Sequence, residues 1–307
     1  MAYFGFDFPL NIPTKEEALD DNKLYTNESE FLRKADLFIN TGSNIARVGI
    51  SPWLSSPEQL AVARNRLTYL RKAGMKICFT LAQLANIPEE SAAEKLIKNS
   101  RYINTIADSL GDLLDYVQVL NEWDAADWRN WPDKVDLADE AYLKETAATI
   151  KMARDILRRA NRKVKVFTSI TGETGDRNRE LHWRKAYDAY ISPVVDLIGI
   201  NWYGHTWEKM YRELPERLDN VSSRYGRKIA ITEFGISRFE ESDPHARGYW
   251  LSMMLSALSH SDSLELAAMY QYVDAENAPS GPESTFGVMN TPEEYAVTAM
   301  IKHLNWK

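Results

Sequence analysis

Two glutamates close apolar runs that otherwise read as buried strands. Glu122 ends YVQVLNE, with Asn121 before it, and Glu233 ends KIAITE, with Phe234 and Gly235 after it. Singly, each also reads as an ordinary ion-pairing residue. As a pair they suggest more. Two carboxylates flanking a glycosidic bond about 5–5.5 Å apart can split it with retention, one as nucleophile and one as general acid. The nucleophile must be ionised, which a nearby cation and a hydroxyl donor favour. Arg47 in NIARVGIS and Tyr203 in VDLIGINWY are of the right type. The acid must keep its proton near neutral pH, and the charge of the first carboxylate helps it do so. Residue types alone leave open which glutamate plays which part.

Chemistry of this kind needs elements that bring distant residues to one mouth. Eight short β-branched or aromatic runs alternate with longer amphipathic segments: YFGFDF, NIARVGIS, MKICFTLA, YVQVLNE, VKVFTSIT, VDLIGINWY, KIAITEFG and LAAMYQYV. Most are apolar almost throughout, as strands covered on both faces should be. Between them, SPEQLAVARNRLTYLRKAG spaces Leu60, Ala63, Leu67 and Leu70 as a helix does, and opens on Ser-Pro and closes on Gly74. DEAYLKETAATIKMARDILRRAN and PEEYAVTAMIKHL repeat the pattern. Alternation implies a parallel sheet. Eight units in 307 residues predict an α/β chain folded as a (β/α)₈ TIM barrel, a single domain over residues 1–307. A dinucleotide-binding fold would show a Gly-rich turn after its first strand, and GFDFPLNIP is not one.

Barrel enzymes work at the C-terminal strand ends. The second strand offers Arg47 and the fourth Asn121, Glu122, Trp123 and Asp124. The sixth offers Asn201, Trp202 and Tyr203, the seventh Glu233, and the eighth Tyr270 and Tyr272. The stretch NEWDAADWRNWPD adds Trp128 and Trp131 among carboxylates. Indoles beside acids either pack a loop or hold sugar rings, flat C–H faces on the ring and hydroxyls on the carboxylates. Trp123, Trp128 and Trp202 are candidate subsites on this reading, and Tyr270 another. His205 and Glu173 are weaker candidates at the same mouth.

LNE at the fourth strand and ITEFG at the seventh resemble the signature of the clan A glycoside hydrolases. That resemblance implies Glu122 as acid/base and Glu233 as nucleophile. It further implies Asn121 as a hydrogen-bond partner of the sugar 2-hydroxyl, with Arg47 and Tyr203 holding Glu233. YQYVDAEN and STFGVMNTPEEYAVTAM are similar to the ends of families 39 and 51, while ITEFG and ARVGIS are similar to family 5. Tyr270 stands where the clan usually has Trp, Asn201 where it often has His, and FTLAQ ends the third strand without a His. Family and sugar are left open. The expectation is a retaining hydrolase of β-linked glycans, endo-acting, with an exo-acting glycosidase or a non-catalytic glycan-binding barrel as alternatives.

Composition excludes several other classes. Net charge is −7 with both signs interspersed, and phosphate binding needs clustered Lys and Arg, so nucleic acid is not expected. No run approaches the ~20 apolar residues that cross a bilayer. MAYFGFDFPLN lacks the basic start and apolar segment of a signal peptide, which fits a cytoplasmic protein or a secreted one already freed of its leader. Cys78 is the single cysteine, and His182, His205, His245, His260 and His303 have no metal-ligand spacing. Neither metal nor cofactor is expected. No Schiff-base Lys or carboxylate–His set closes a strand, as aldolase or metal-dependent chemistry on a barrel would require.

Overall fold

The computed structural model describes residues 2–10, 27–50, 55–81, 84, 91–125, 136–171, 184–203, 213–274 and 285–305. Its strands are β1 Tyr3–Asp7, β2 Ile45–Gly49, β3 Lys76–Leu81, β4 Tyr116–Val119, β5 Lys165–Phe167, β6 Ser169–Thr171, β7 Ile198–Trp202, β8 Ile229–Phe234 and β9 Leu264–Met269. They form one sheet in the order β5-β4-β3-β2-β1-β9-β8-β7-β6, and the pairings are parallel. Only Thr168 separates β5 from β6, so the two ends of that order are halves of one strand. The first half pairs with β4 and the second with β7, and the Gly199 amide donates to the Thr168 carbonyl at 3.1 Å. The sheet closes on itself there. The result is a (β/α)₈ barrel, its fifth strand divided where it changes partner.

Helices cover the outside. α1 is Glu28–Asn40, α2 Pro57–Lys72, α3 Ala92–Leu110, α4 Glu140–Ala160, α5 Leu214–Tyr225, α6 Pro244–Ser259 and α7 Glu294–Asn305. α2 begins where Ser56 and Gln59 cap each other's backbone amides and Pro57 takes the first helical position. It buries Leu60, Ala63, Leu67 and Leu70 on the sheet, the stripe its sequence spacing predicts. In α4 the Asp139 side chain caps the amides of Ala141 and Tyr142. Between β6 and β7 the described residues include a π-helical turn, Tyr187–Ile191. No helix among the described residues is long and apolar enough to cross a membrane.

An aromatic cluster ties the first strand to the turn after the last. Phe8 stacks on Phe38 with centroids 4.7 Å apart, and Tyr272 lies 5.5 Å from Phe38 and 5.2 Å from Phe6. All four rings are buried, and each contributes about 1.5–3 kcal/mol by leaving water. Tyr272 is therefore a core residue. Its hydroxyl donates to Glu294 at the start of α7.

Candidate active site

Arg47 lies in the barrel interior, and each nitrogen of its guanidinium has a partner. Nη2 donates to Glu233 Oε1 at 2.8 Å, Nη1 to Asp7 Oδ2 at 2.7 Å and Nε to Gln118 Oε1 at 2.9 Å. β1, β2, β4 and β8 thus meet on one cation. Burial alone would ease its proton off, but the Asp7 and Glu233 carboxylates outweigh burial and hold it charged. The second oxygen of Glu233, Oε2, accepts from the Tyr203 hydroxyl at 2.8 Å. Burial, reinforced by the charge of Glu233, pushes that phenol well above its ordinary pKa, so it stays a donor. Glu233 is held from two sides, by a guanidinium on one oxygen and a phenol hydroxyl on the other.

The end of β4 breaks the alternation of a strand. Leu120 has φ +64° and Glu122 φ +47°, left-handed values that non-glycine residues rarely adopt. Neighbouring side chains on a regular strand face opposite ways. Here the turned backbone lets both Asn121 and Glu122 reach the same network. The Asn121 Oδ1 accepts from Gln118 Nε2 and Ser169 Oγ, each at 2.8 Å, and from Asn201 Nδ2 at 3.2 Å. Its amide nitrogen has no partner among the described residues. Asn201 is oriented by Thr232, whose hydroxyl donates to Oδ1 at 2.5 Å. That leaves Nδ2 to donate to Glu122 Oε1 at 3.0 Å.

The two glutamates differ in surroundings. Burial pushes the Glu122 carboxyl up to about 7, and the charges of Glu233 and Asp124 act the same way against the Asn201 amide and Arg47. Asn201 is also the register partner of Glu233 across β7 and β8. The carboxylates therefore bracket one asparagine. A carboxyl that keeps its proton near neutrality beside an anchored carboxylate can donate that proton while the other attacks.

The structure gathers Arg47, Asn121, Glu122, Asn201, Tyr203 and Glu233 into one network, with Tyr270 at its edge. Tyr270 follows β9 across a cis peptide to Gln271 and packs edge-on to Phe286, centroids 5.3 Å apart. Phe286 meets Tyr203 in the same manner at 5.7 Å.

Two tryptophans lie elsewhere than expected. Trp123 is wholly buried, its carbonyl accepting from the Tyr142 hydroxyl, so it has no face to offer a sugar. Trp202 alternates with inward-facing Asn201, is 1% exposed, and lies under the Arg217 guanidinium, 5.7 Å from the ring centroid. Both are packing residues. Trp128, like Trp131, Glu173 and His205, falls outside the described residues.

Asp124 is also structural. It is fully buried, and its oxygens accept from the Thr171 amide at 2.9 Å and hydroxyl at 2.7 Å, tying the β4 end to β6. Asp124→Ala is expected to cost about 2–3 kcal/mol, because hydrogen bonds to a buried charge are lost and the Thr171 donors are stranded. Urea denaturation measures it, and a loss below ~0.5 kcal/mol would show the tie to be idle.

Asp7 and Gln118 belong to the network and are absent from the sequence expectation. Asp7 carries the same signal as Glu122, a charge closing an apolar run. Gln118 is a polar residue amid valines, fully buried and bonded to Arg47, Asn121 and Ser169. Among the described residues no group of three His, Cys, Asp or Glu is arranged to hold a metal.

Comparison with known proteins adds a family and a fold. The sequence model described as glycosyl hydrolase family 53 matches residues 88–277, more than half of the chain. No curated protein sequence matches. Among solved structures, a β-glycosidase from Pyrococcus horikoshii superposes with a TM-score of 0.73 at 17% identity, covering 99% of this chain and 94% of that one. A β-glucosidase from Pyrococcus furiosus gives 0.72 at 13% identity, covering 99% and 97%. A structure titled as apo β-glucosidase 1317 gives 0.71 at 16% identity, covering 99% and 98%. At such identities the likeness concerns the barrel alone.

Proposed function

Because the chain belongs to glycosyl hydrolase family 53, a family of clan A (β/α)₈ glycosidases, we propose that Glu122 and Glu233 are its catalytic pair and cleave β-glycosidic bonds with retention. Glu233 attacks the anomeric carbon while Glu122 protonates the leaving oxygen. Glu122 then takes a proton from water as that water releases the sugar. Asn121 holds the sugar 2-hydroxyl, and Arg47 and Tyr203 hold Glu233. The observation that carries this reading is the asymmetry of the pair. Burial holds the Glu122 carboxyl up to about 7, whereas Arg47 and Tyr203 grip both oxygens of Glu233.

The barrel units run from Tyr3 to Asn305, which supports reading residues 1–307 as one catalytic domain. We extend the proposal to an endo-acting enzyme on a β-linked polysaccharide. Its support is the tryptophan-rich sequence after β4, now without Trp123. Product release from β-glucans, xylans, mannans and galactans tests it, with ¹H NMR of the first product anomer and a comparison of viscosity with reducing ends. A β-anomer and an early fall in viscosity are expected. An α-anomer would exclude double displacement, monosaccharides released from chain ends would make the enzyme exo-acting, and binding without cleavage would favour a glycan-binding barrel.

The pH profile follows from the same asymmetry. Glu122 is competent while protonated, below about 7, so kcat/KM falls by about tenfold per pH unit above that point. A 2,4-dinitrophenolate leaves without needing a proton, so aryl glycosides bearing it should lose this limb in the bond-breaking step. A limb that persists with such a substrate would assign the titration to another group.

A further inference from the structure

The family, the fold and the two glutamates leave one charge near the nucleophile unexplained. Asp7 shares Arg47 with Glu233 at nearly equal distances, 2.7 and 2.8 Å, from different nitrogens of one guanidinium. Arg47 is buried, 3% exposed, and its remaining partner, Gln118, is neutral. Resting, the trio carries two anions and one cation.

The reaction changes that balance, on the reading of Glu233 as nucleophile. One Glu233 oxygen forms a bond to the anomeric carbon, the bond to the leaving oxygen breaks, and that oxygen takes the Glu122 proton. Glu233 is then a neutral ester. Without Asp7, Arg47 would then be a buried cation with no carboxylate on its guanidinium, a state proteins avoid. Among the described residues Asp7 is then the one charged carboxylate still bonded to Arg47, the newly ionised Glu122 acting on it only through space. When water attacks, the bond to Glu233 breaks, the electron pair returns to the carboxylate, and a water proton goes to Glu122.

We propose that Asp7 is a positioning residue for the nucleophile: its carboxylate keeps Arg47 fixed and neutralised while Glu233 is esterified, and so speeds formation of the glycosyl-enzyme. Two effects combine. Arg47 held by Glu233 alone would stabilise the free carboxylate most, and blunt its attack. Asp7 draws off part of that field before the reaction and supplies the counter-charge after it. The charged and titratable groups around Asp7 are Arg47 from β2, Glu233 from β8 and the Cys78 thiol from β3. Burial pushes that thiol up to about 12, so it stays neutral. Burial also pushes the Asp7 carboxyl up to about 6 against Arg47, with Glu233 adding to the rise. Loss of the Glu233 charge therefore strengthens Asp7 as an anion just when Arg47 needs one.

Two measurements test this. The first uses the protein without substrate. The Asp7 carboxyl, followed by ¹³C NMR in the parent and in Glu233→Gln, whose neutral amide imitates the esterified nucleophile, should titrate lower in the variant by about one pH unit, the size of a removed like charge. An unmoved Asp7 would overturn the proposal whether or not Glu233 is the nucleophile. The second is rapid-mixing kinetics of Asp7→Asn on whichever 2,4-dinitrophenyl β-bioside of glucose, galactose, mannose or xylose the parent hydrolyses. Glycosyl-enzyme formation should slow on the order of a hundredfold, the scale of losing one preorganised electrostatic partner. Breakdown should not slow, because an unpaired Arg47 makes Glu233 a better leaving group, and the burst should vanish. Equal slowing of both steps in a folded variant would make Asp7 merely structural. A raised KM with unchanged kcat would make it a sugar contact. If the parent hydrolyses none of the biosides, the reading of the active site fails there, while the titration still decides the coupling of Asp7 to Glu233.

Discussion

Glu233→Ala is expected to lose on the order of 10⁴-fold or more in kcat/KM, and azide is expected to restore part of it as a glycosyl azide of inverted configuration. The shortened side chain leaves room on the face from which the carboxylate attacked, and azide enters there. Glu122 still protonates the leaving oxygen, so one displacement occurs where the parent makes two. Glu122→Ala should behave differently. Substrates with poor leaving groups lose about 10²–10⁴-fold, the usual worth of a positioned acid. With a dinitrophenolate the first step needs no acid, so the glycosyl-enzyme accumulates. Azide, which needs no general base, then relieves it and gives an azide of retained configuration. Mass spectrometry of trapped enzyme and NMR of the azide anomers read both results. Exchanged configurations would exchange the two roles, and undiminished cleavage by either variant would remove that residue from the chemistry.

What makes the pair readable is the barrel itself. Its strands are covered on both faces, so polar residues at their ends have no reason to be there except the mouth. Glu122, Glu233 and Arg47 stand out for that reason, and the structure places them on the fourth, seventh and second barrel strands, as the alternation predicts. Asp7 obeys the same rule. It escapes because GFDFPLNIP invites comparison with a glycine-rich turn and is not read for its charge. Gln118 is harder, since an uncharged residue within a four-residue strand could face a helix as easily as the interior.

Trp123 and Asp124 mislead for a conformational reason. An indole and a carboxylate after a catalytic strand look like a sugar platform, but the left-handed backbone at Leu120 and Glu122 turns Asn121 and Glu122 towards the network and leaves their neighbours in the core. No glycine marks that turn, so sequence offers no sign of it. The division of the fifth strand at Thr168 is similarly silent, because it arises from a change of partner that only closure of the barrel imposes. The family is equally out of reach of strand ends. Those motifs are common to the clan, whereas the match to family 53 spans residues 88–277.

Arg47→Met is expected to damage stability and rate together, by about 3–5 kcal/mol for a broken buried ion pair and on the order of 10³-fold in kcat/KM for lost electrostatic preorganisation. Methionine fills much of the space, so the loss is chiefly electrical. Asp7 and Glu233 are left without the cation they share, and Gln118 loses the donor to its oxygen. Two such carboxylates do not both ionise readily, so the pair binds protons more tightly folded than unfolded. The sign of the pH dependence follows. A carboxyl raised in the folded state makes stability fall as pH rises from about 4, the unfolded value, through the raised value. Arg47→Met should therefore be least deficient in acid and most deficient above neutrality. Urea denaturation at pH 5 and pH 8 measures the difference. Arg47→Lys keeps the charge but not the fork that reaches three partners, so it should recover stability more than rate. Adding Asp7→Asn to Arg47→Met should return part of the stability by removing one unpaired charge, without returning rate. A loss under ~1 kcal/mol that is the same at both pH values would mean that Arg47 is not the cation holding the two carboxylates, and the account of Glu233 as an anchored anion would fall with it.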